Sequence, residues 1–250
     1  METVGFTKKE IDNMLLFNKG GYEGKILLCN NQLVLKQFEP YLDGYVDLEL
    51  KKYKLVRFAE RNLYRIMVVP SALVNIDGIF SGYLMPKVSN AMHIDSIRDY
   101  SKLLEVYSKL FKDVEYLHSK NIVIGDVKPA NILVDYKYNT KFVDVDSMGI
   151  DELPIDHEEY RSHEAKMLPN YPAKFDSNSR QNMDNYLLLA CFLNSLSTEN
   201  IPLIGKLFNS KLSQEHKKIL FELLKGDIWG TPKSISNILE EERSKIKWRL

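Results

Sequence analysis

An aspartate, a lysine and an asparagine stand at i, i+2 and i+5 in Ile124-Gly125-Asp126-Val127-Lys128-Pro129-Ala130-Asn131, directly before the apolar run Ile132-Leu133-Val134. A second apolar run, Phe142-Val143-Asp144-Val145-Asp146, ends in carboxylates. The set offers a carboxylate to orient a hydroxyl and an ammonium to neutralise a moving phosphoryl group. It also offers an amide and a carboxylate as oxygen ligands for a hard cation. Phosphoryl transfer from ATP needs this equipment, because there the protein supplies positioning and electrostatics more than covalent chemistry.

Such groups need a scaffold. Residues 12–86 read mainly as strands with one helix. A glycine-rich turn, Lys19-Gly20-Gly21-Tyr22-Glu23-Gly24, precedes strands around Ile26–Leu28 and Leu33–Leu35. Asn30-Asn31 between them suits a hairpin turn, since Asn tolerates positive φ. Val46, Leu50, Tyr53 and Leu55 space out an amphipathic helix from Val46 to about Glu60. Two more strands, Arg65–Val74 and Ile79–Met85, flank a turn at Asn75–Gly78. After Pro86 the pattern turns helical. Tyr100–Ser119 carries Leu103, Leu104, Val106, Tyr107, Leu110, Phe111, Val114 and Leu117 at helical spacing. Residues 147–180 are polar and broken by Pro154, Pro169 and Pro172; so long a stretch without pattern usually has a function. Met183–Leu196 reads as a buried helix. The charged Leu239–Leu250 segment reads as a solvated cap.

The two motif strands resemble the catalytic and metal-binding loops of the protein-kinase family, and the pattern extends over roughly residues 12–225. The resemblance implies an α+β, two-lobed kinase-like fold: one domain over 1–250, with a β-rich N-lobe at about 12–86 and a helical C-lobe at 87–250. It also implies ATP and Mg²⁺ as cofactors, with Mn²⁺ as a substitute. By the same resemblance Asp126 is the catalytic aspartate, Lys128 the lysine that faces the transferred phosphoryl, and Asn131 and Asp144 the metal ligands. Lys36 matches the lysine that grips the α- and β-phosphates. Its partner is expected to be a helix glutamate, with Glu49 first and Asp47 and Glu60 as competitors. Gly21 and Gly24 fall where phosphate-loop glycines fall. Met85, Pro86 and Val88 fall at the adenine hinge, where Pro86 needs only its C=O and Val88 its N–H. Asp184 resembles the helix aspartate that holds the catalytic-loop backbone. Glu164, in Tyr160-Arg161-Ser162-His163-Glu164, resembles the structural glutamate that ends the activation segment.

The departures are informative. Asp146 stands where the family has glycine, and reads either as a turn former or as a further metal-site residue. The I-G-D and D-x-D pair is similar to atypical bacterial serine/threonine protein kinases, which implies transfer to protein Ser/Thr hydroxyls. Gly-Asp also occurs in aminoglycoside-type small-molecule kinases, so a small-molecule acceptor is the alternative. A nucleotide-binding pseudokinase is a second one. Gly125 replaces the arginine that commonly grips an activation-loop phosphate, and residues 147–176 contain no Thr. Activity is therefore expected to be independent of phosphorylation there. Turnover should survive phosphatase treatment, and its loss would contradict this reading.

The bulk numbers are those of an ordinary soluble globular chain: 250 residues, 44% hydrophobic, 27% charged and net charge +0. A balanced charge gives no sign of a nucleic-acid partner. No apolar run reaches the ~18 residues of a bilayer span. Cys29 and Cys191 read as reduced core thiols rather than a disulfide or zinc pair. A cytoplasmic protein is expected. The protein substrate and the oligomeric state are not legible.

Overall fold

The computed structural model describes residues 1–18, 24–39, 47–155, 177–197, 199–225 and 232–247. In chain order the elements are β1 (Glu2–Phe6), α1 (Lys8–Asp12), β2 (Leu15–Asn18), β3 (Gly24–Leu28), β4 (Leu33–Phe38), α2 (Leu48–Ala59), β5 (Ala72–Ile76) and β6 (Ile79–Pro86). There follow β7 (Met92–His93), α3 (Tyr100–Ser119), β8 (Ile122–Val123), β9 (Ile132–Val134), β10 (Thr140–Phe142) and β11 (Gly149–Ile150). Four helices complete the order: α4 (Ser177–Leu196), α5 (Leu203–Asn209), α6 (Gln214–Lys225) and α7 (Pro232–Lys247). A strand-rich N-terminal region followed by a helical C-terminal one is an α+β architecture, consistent with the two-lobed kinase-like fold expected. The chain divides into two compact units, Met1–Asn90 with Lys141–Asp156, and Ala91–Thr140 with His157–Leu250. The stretch carrying Asp144 and Asp146 therefore belongs to the strand-rich unit.

That unit is built on a six-stranded sheet in the order β1-β5-β6-β4-β3-β2. The β3–β4 hairpin closes where expected, because Asn30 Oδ1 accepts the backbone N–H groups of Gln32 and Leu33 at 2.8 and 2.9 Å. Two strands differ from the sequence reading. Residues 2–6 are polar in pattern, yet β1 adds to the sheet edge parallel to β5. The apolar run from Arg65 does not become strand until Ala72. Before that, Val68 N–H donates to Phe142 O and Phe142 N–H to Ile66 O, each at 2.9 Å. These bonds tie the segment to the strand that leads into Asp144.

Helix α2 starts at its N-cap Asp47, whose side chain accepts the Leu50 N–H. Its buried residues are Lys51, Lys54, Leu55 and Phe58. This i, i+3, i+4, i+7 stripe lies on a different face from the one expected. Tyr53 is 58% exposed.

In the second unit α3 is the central element, with Leu104, Tyr107, Leu110, Phe111, Val114 and Leu117 fully buried. Tyr107 packs edge-on against Phe192 of α4 and shares a 2.9 Å hydrogen bond with Ser195. The C-terminal helix is not the solvated cap that its charges suggested. α7 lies along α3 with Ile235 and Leu239 buried. Its charges serve the contact: Arg243 pairs with Glu105 at 2.7 Å, and Lys112 pairs with Glu240.

Glu242 of α7 accepts bonds from Ser213 N–H (3.1 Å), His216 Nδ1 (2.5 Å) and Lys245 Nζ (3.1 Å). Burial alone would raise its carboxyl, but these three donors prevail and hold it at about 2. A depressed carboxyl stabilises the fold above its unfolded value, and that contribution is lost as pH falls through the folded one. Glu242→Gln should lower the melting temperature at pH 6, with the difference fading below pH ~4. Equal melting at pH 6 would contradict the assignment.

Candidate active site

The i, i+2, i+5 trio converges on one carboxylate in the helical unit. Asp126 Oδ2 accepts Lys128 Nζ at 2.5 Å and Asn131 Nδ2 at 3.1 Å. Asn131 Nδ2 also bonds the Asp126 backbone C=O at 3.0 Å. The short 3₁₀ turn Pro129–Asn131, begun by a proline that needs no N–H, brings position i+5 back over position i. With its nitrogen committed to Asp126, the Asn131 amide offers its oxygen to a cation. The Asp126 side chain is 39% exposed, so it can reach a substrate hydroxyl.

The loop is held from below by Asp184 of α4, which is fully buried. Its Oδ2 accepts the Ile124 N–H at 2.8 Å, its Oδ1 the Gly125 N–H at 2.7 Å, and His118 Nε2 lies 3.0 Å from Oδ2. Gly125 has φ +77°, a left-handed backbone that an arginine would adopt only with strain. The residue that departs from the family pattern is thus the one the loop geometry asks for. Ile124 is buried, and the buried Cys191 thiol sits 3.9 Å from Val127 O.

The strand-rich unit carries a second cluster. Asp144 begins a 3₁₀ turn with φ +67° and ψ +42°, and Ser147 Oγ caps its C=O at 2.8 Å. Lys36 of β4 ion-pairs with Asp144, and it bonds Asp146 at 2.7 and 3.0 Å. Asp146 also accepts Lys51 Nζ of α2 at 2.8 Å and the Tyr83 hydroxyl of β6 at 2.8 Å. Lys51, Asp146 and Tyr83 are fully buried, and Lys36 nearly so. Burial opposes charge on Lys36, but Asp144 and Asp146 outweigh it, and the ammonium is held above the usual lysine range. Burial would raise the Asp146 carboxyl, yet Lys36 and Lys51 drive it far below the ordinary range.

Two sequence expectations change here. Glu49 is not the partner of Lys36: its side chain is 79% exposed and, among the described residues, pairs with Lys52 at 3.5 Å. It lies on the face of α2 opposite Lys51, two residues or about 200° away. Asp146 is a buried acceptor of two ammonium groups and a hydroxyl, not simply a turn former. Both its oxygens are occupied, which leaves Asp144 as the metal-ligand candidate of the pair. Lys51 and Tyr83, which the sequence reading passed over, complete the cluster. An i, i+3, i+4, i+7 stripe that includes lysines was the available signal.

The other candidates sit as follows. Met85 is buried in β6 opposite Val34, and Pro86 is exposed opposite Leu33. The next residue is tied back by Lys87 N–H to Gln32 O at 2.7 Å, so the hinge candidates Pro86 and Val88 flank a fixed point. Gly24 belongs to β3, where a Cβ would stand 2.3 Å from Gln37 O, so strand packing alone demands glycine. Gly21 and Glu164 lie outside the described residues.

No protein-family model matches the chain. Part of it is similar to mitogen-activated protein kinase kinase 7 of Arabidopsis thaliana, at 30% identity over 123 residues, 46% of this chain and 39% of that protein. The chain thus spans about two fifths of the length of the curated relative it matches.

Proposed function

We propose that the protein is an ATP- and Mg²⁺-dependent phosphotransferase acting on Ser/Thr hydroxyls of proteins. The observation that carries this reading is the convergence of Lys128 and Asn131 on the Asp126 carboxylate, in a loop pinned by Asp184. Similarity to part of a curated kinase supports the same chemistry. In this reading Asp126 accepts the proton of the attacking hydroxyl, and Lys128 neutralises charge on the phosphoryl in flight. Lys36 would hold the α- and β-phosphates. Asn131 and Asp144 would each offer an oxygen ligand to a cation.

The donor set fits a hard cation, being an amide oxygen and a carboxylate. Among the described residues no group of three or more His, Cys, Asp and Glu side chains could hold a metal. Phosphate oxygens would therefore supply the remaining ligands, as is usual where Mg²⁺ arrives with a nucleotide. The same set serves a small-molecule acceptor, which Gly125 favours as the second reading. No described helix is long and apolar enough to cross a membrane. Incubation with γ-labelled ATP and a generic protein substrate should give acceptor labelling that EDTA abolishes. Labelling that persists in EDTA would overturn the metal assignment.

A further inference from the structure

We propose that Asp146 is the positioning residue for Lys36, the role that a helix glutamate was expected to fill. This deepens the phosphotransferase reading and rests on it.

The geometry is that of a built support. Asp146 accepts from three elements at once, β4 through Lys36, α2 through Lys51 and β6 through Tyr83. Its two oxygens take four bonds between 2.7 and 3.0 Å, so little freedom of the carboxylate remains. Two ammonium groups, Lys36 and Lys51, meet two carboxylates here, Asp144 being the second. Removing one partner of a buried ion pair leaves the other charge uncompensated, which is strongly destabilising. Lys36 and Tyr83 are opposite each other across the β4–β6 ladder, which sets the spacing of the two donors.

Helix α2 presents an ammonium where a carboxylate was expected, and the carboxylate comes from the turn after Asp144. The polarity of the contact is reversed while its outcome, one carboxylate on Lys36, is kept. Since Asp146 lies two residues after Asp144, one short turn fixes both partners of Lys36. The same helix binds the chain further on: Arg57, and Arg61 just past the helix end, meet Asp151 at 3.0 and 2.8 Å, and Lys54 Nζ meets Pro154 O at 3.1 Å. Lys51, Lys54 and Arg57 span about 120° of the helix, so a single face contributes all three contacts to residues 146–154. These contacts use no phosphate.

The test is a rewiring. Asp146→Asn should lower kcat/KM for ATP about 100-fold, since it takes a charged acceptor away from Lys36. Lys51→Glu should do the same by setting two carboxylates face to face. The double variant Lys51→Glu/Asp146→Asn returns one carboxylate to Lys36 from the helix side. It should recover to within about tenfold of the parent. Tyr83→Phe keeps the ring and removes one donor. It should cost about three- to tenfold with the melting temperature nearly unchanged, and it decides the matter if Asp146→Asn does not fold.

A second readout needs no turnover: brief acylation with an amine-reactive ester at neutral pH, with peptide mapping of Lys36. Lys36 should be protected in the parent and the double variant, and labelled in Asp146→Asn. If the parent transfers no phosphate from ATP, the phosphotransferase reading falls and the labelling pattern alone decides the anchor. A double variant no better than either single one, or Lys36 labelling equal throughout, would overturn the proposal.

Discussion

Asp126→Ala should lower phosphoryl transfer by about 10³- to 10⁴-fold while ATP affinity changes less than about threefold. The separation follows from the loop geometry. Asn131 Nδ2 keeps its bond to the backbone C=O of residue 126 when the side chain is removed, and Asp184 still holds the two N–H groups before it. The loop therefore keeps its course, and what disappears is the carboxylate for the hydroxyl proton. Lys128 also loses its partner, but it is half exposed and can be solvated. Single-turnover transfer and equilibrium binding of a fluorescent ATP analogue measure the two quantities. Parental transfer in a folded Asp126→Ala protein would remove Asp126 from the chemistry.

Asp184→Ala should harm both fold and activity. It strips the partner from the Ile124 and Gly125 N–H groups and from His118, in a site with no exposed surface at residue 184. Each buried group left unpaired costs about 1–3 kcal/mol, so the fold should lose roughly 3 kcal/mol or more. Transfer should fall about 100-fold in the protein that remains folded, since a loop displaced by an ångström misplaces Asp126. Asp184→Asn retains one acceptor oxygen and should fall between the two. Urea midpoints and transfer rates check this pair. An Asp184→Ala protein with parental stability would contradict the support role.

The clustering of the Asp126 loop was legible because its contacts are local. Asp126, Lys128 and Asn131 lie within six residues, and a proline-started turn is enough to fold position i+5 onto position i. Asp184 was legible as a charged residue in an otherwise buried helix. The partner of Lys36 was not, for a physical reason. Lysines are usually solvated, so the helix was phased by its apolar residues, and Glu49 was turned inward when Lys51 and Lys54 are the buried positions. The acceptors that make these buried lysines tolerable include Asp146 and the Pro154 carbonyl, far away in sequence, and no local pattern reports such pairings. The same limit hid β1, whose place depends on a parallel partner some seventy residues away. It also hid the docking of α7, whose charges meet counter-charges on α3. Gly125 was noticed as a missing arginine, while its positive φ, which explains it, is a property of the folded loop.

One measurement tests the central claim most directly. The parent protein and Asp126→Ala are incubated with γ-labelled ATP and Mg²⁺, in the presence of generic protein substrates and, separately, of small hydroxylated molecules. Hydrolysis of the labelled protein then identifies the amino acid that carries phosphate. The account predicts label on serine or threonine with the parent and none above background with Asp126→Ala. Label confined to small molecules would move the protein to the second reading. No transfer to any acceptor, or equal transfer by Asp126→Ala, would contradict the account.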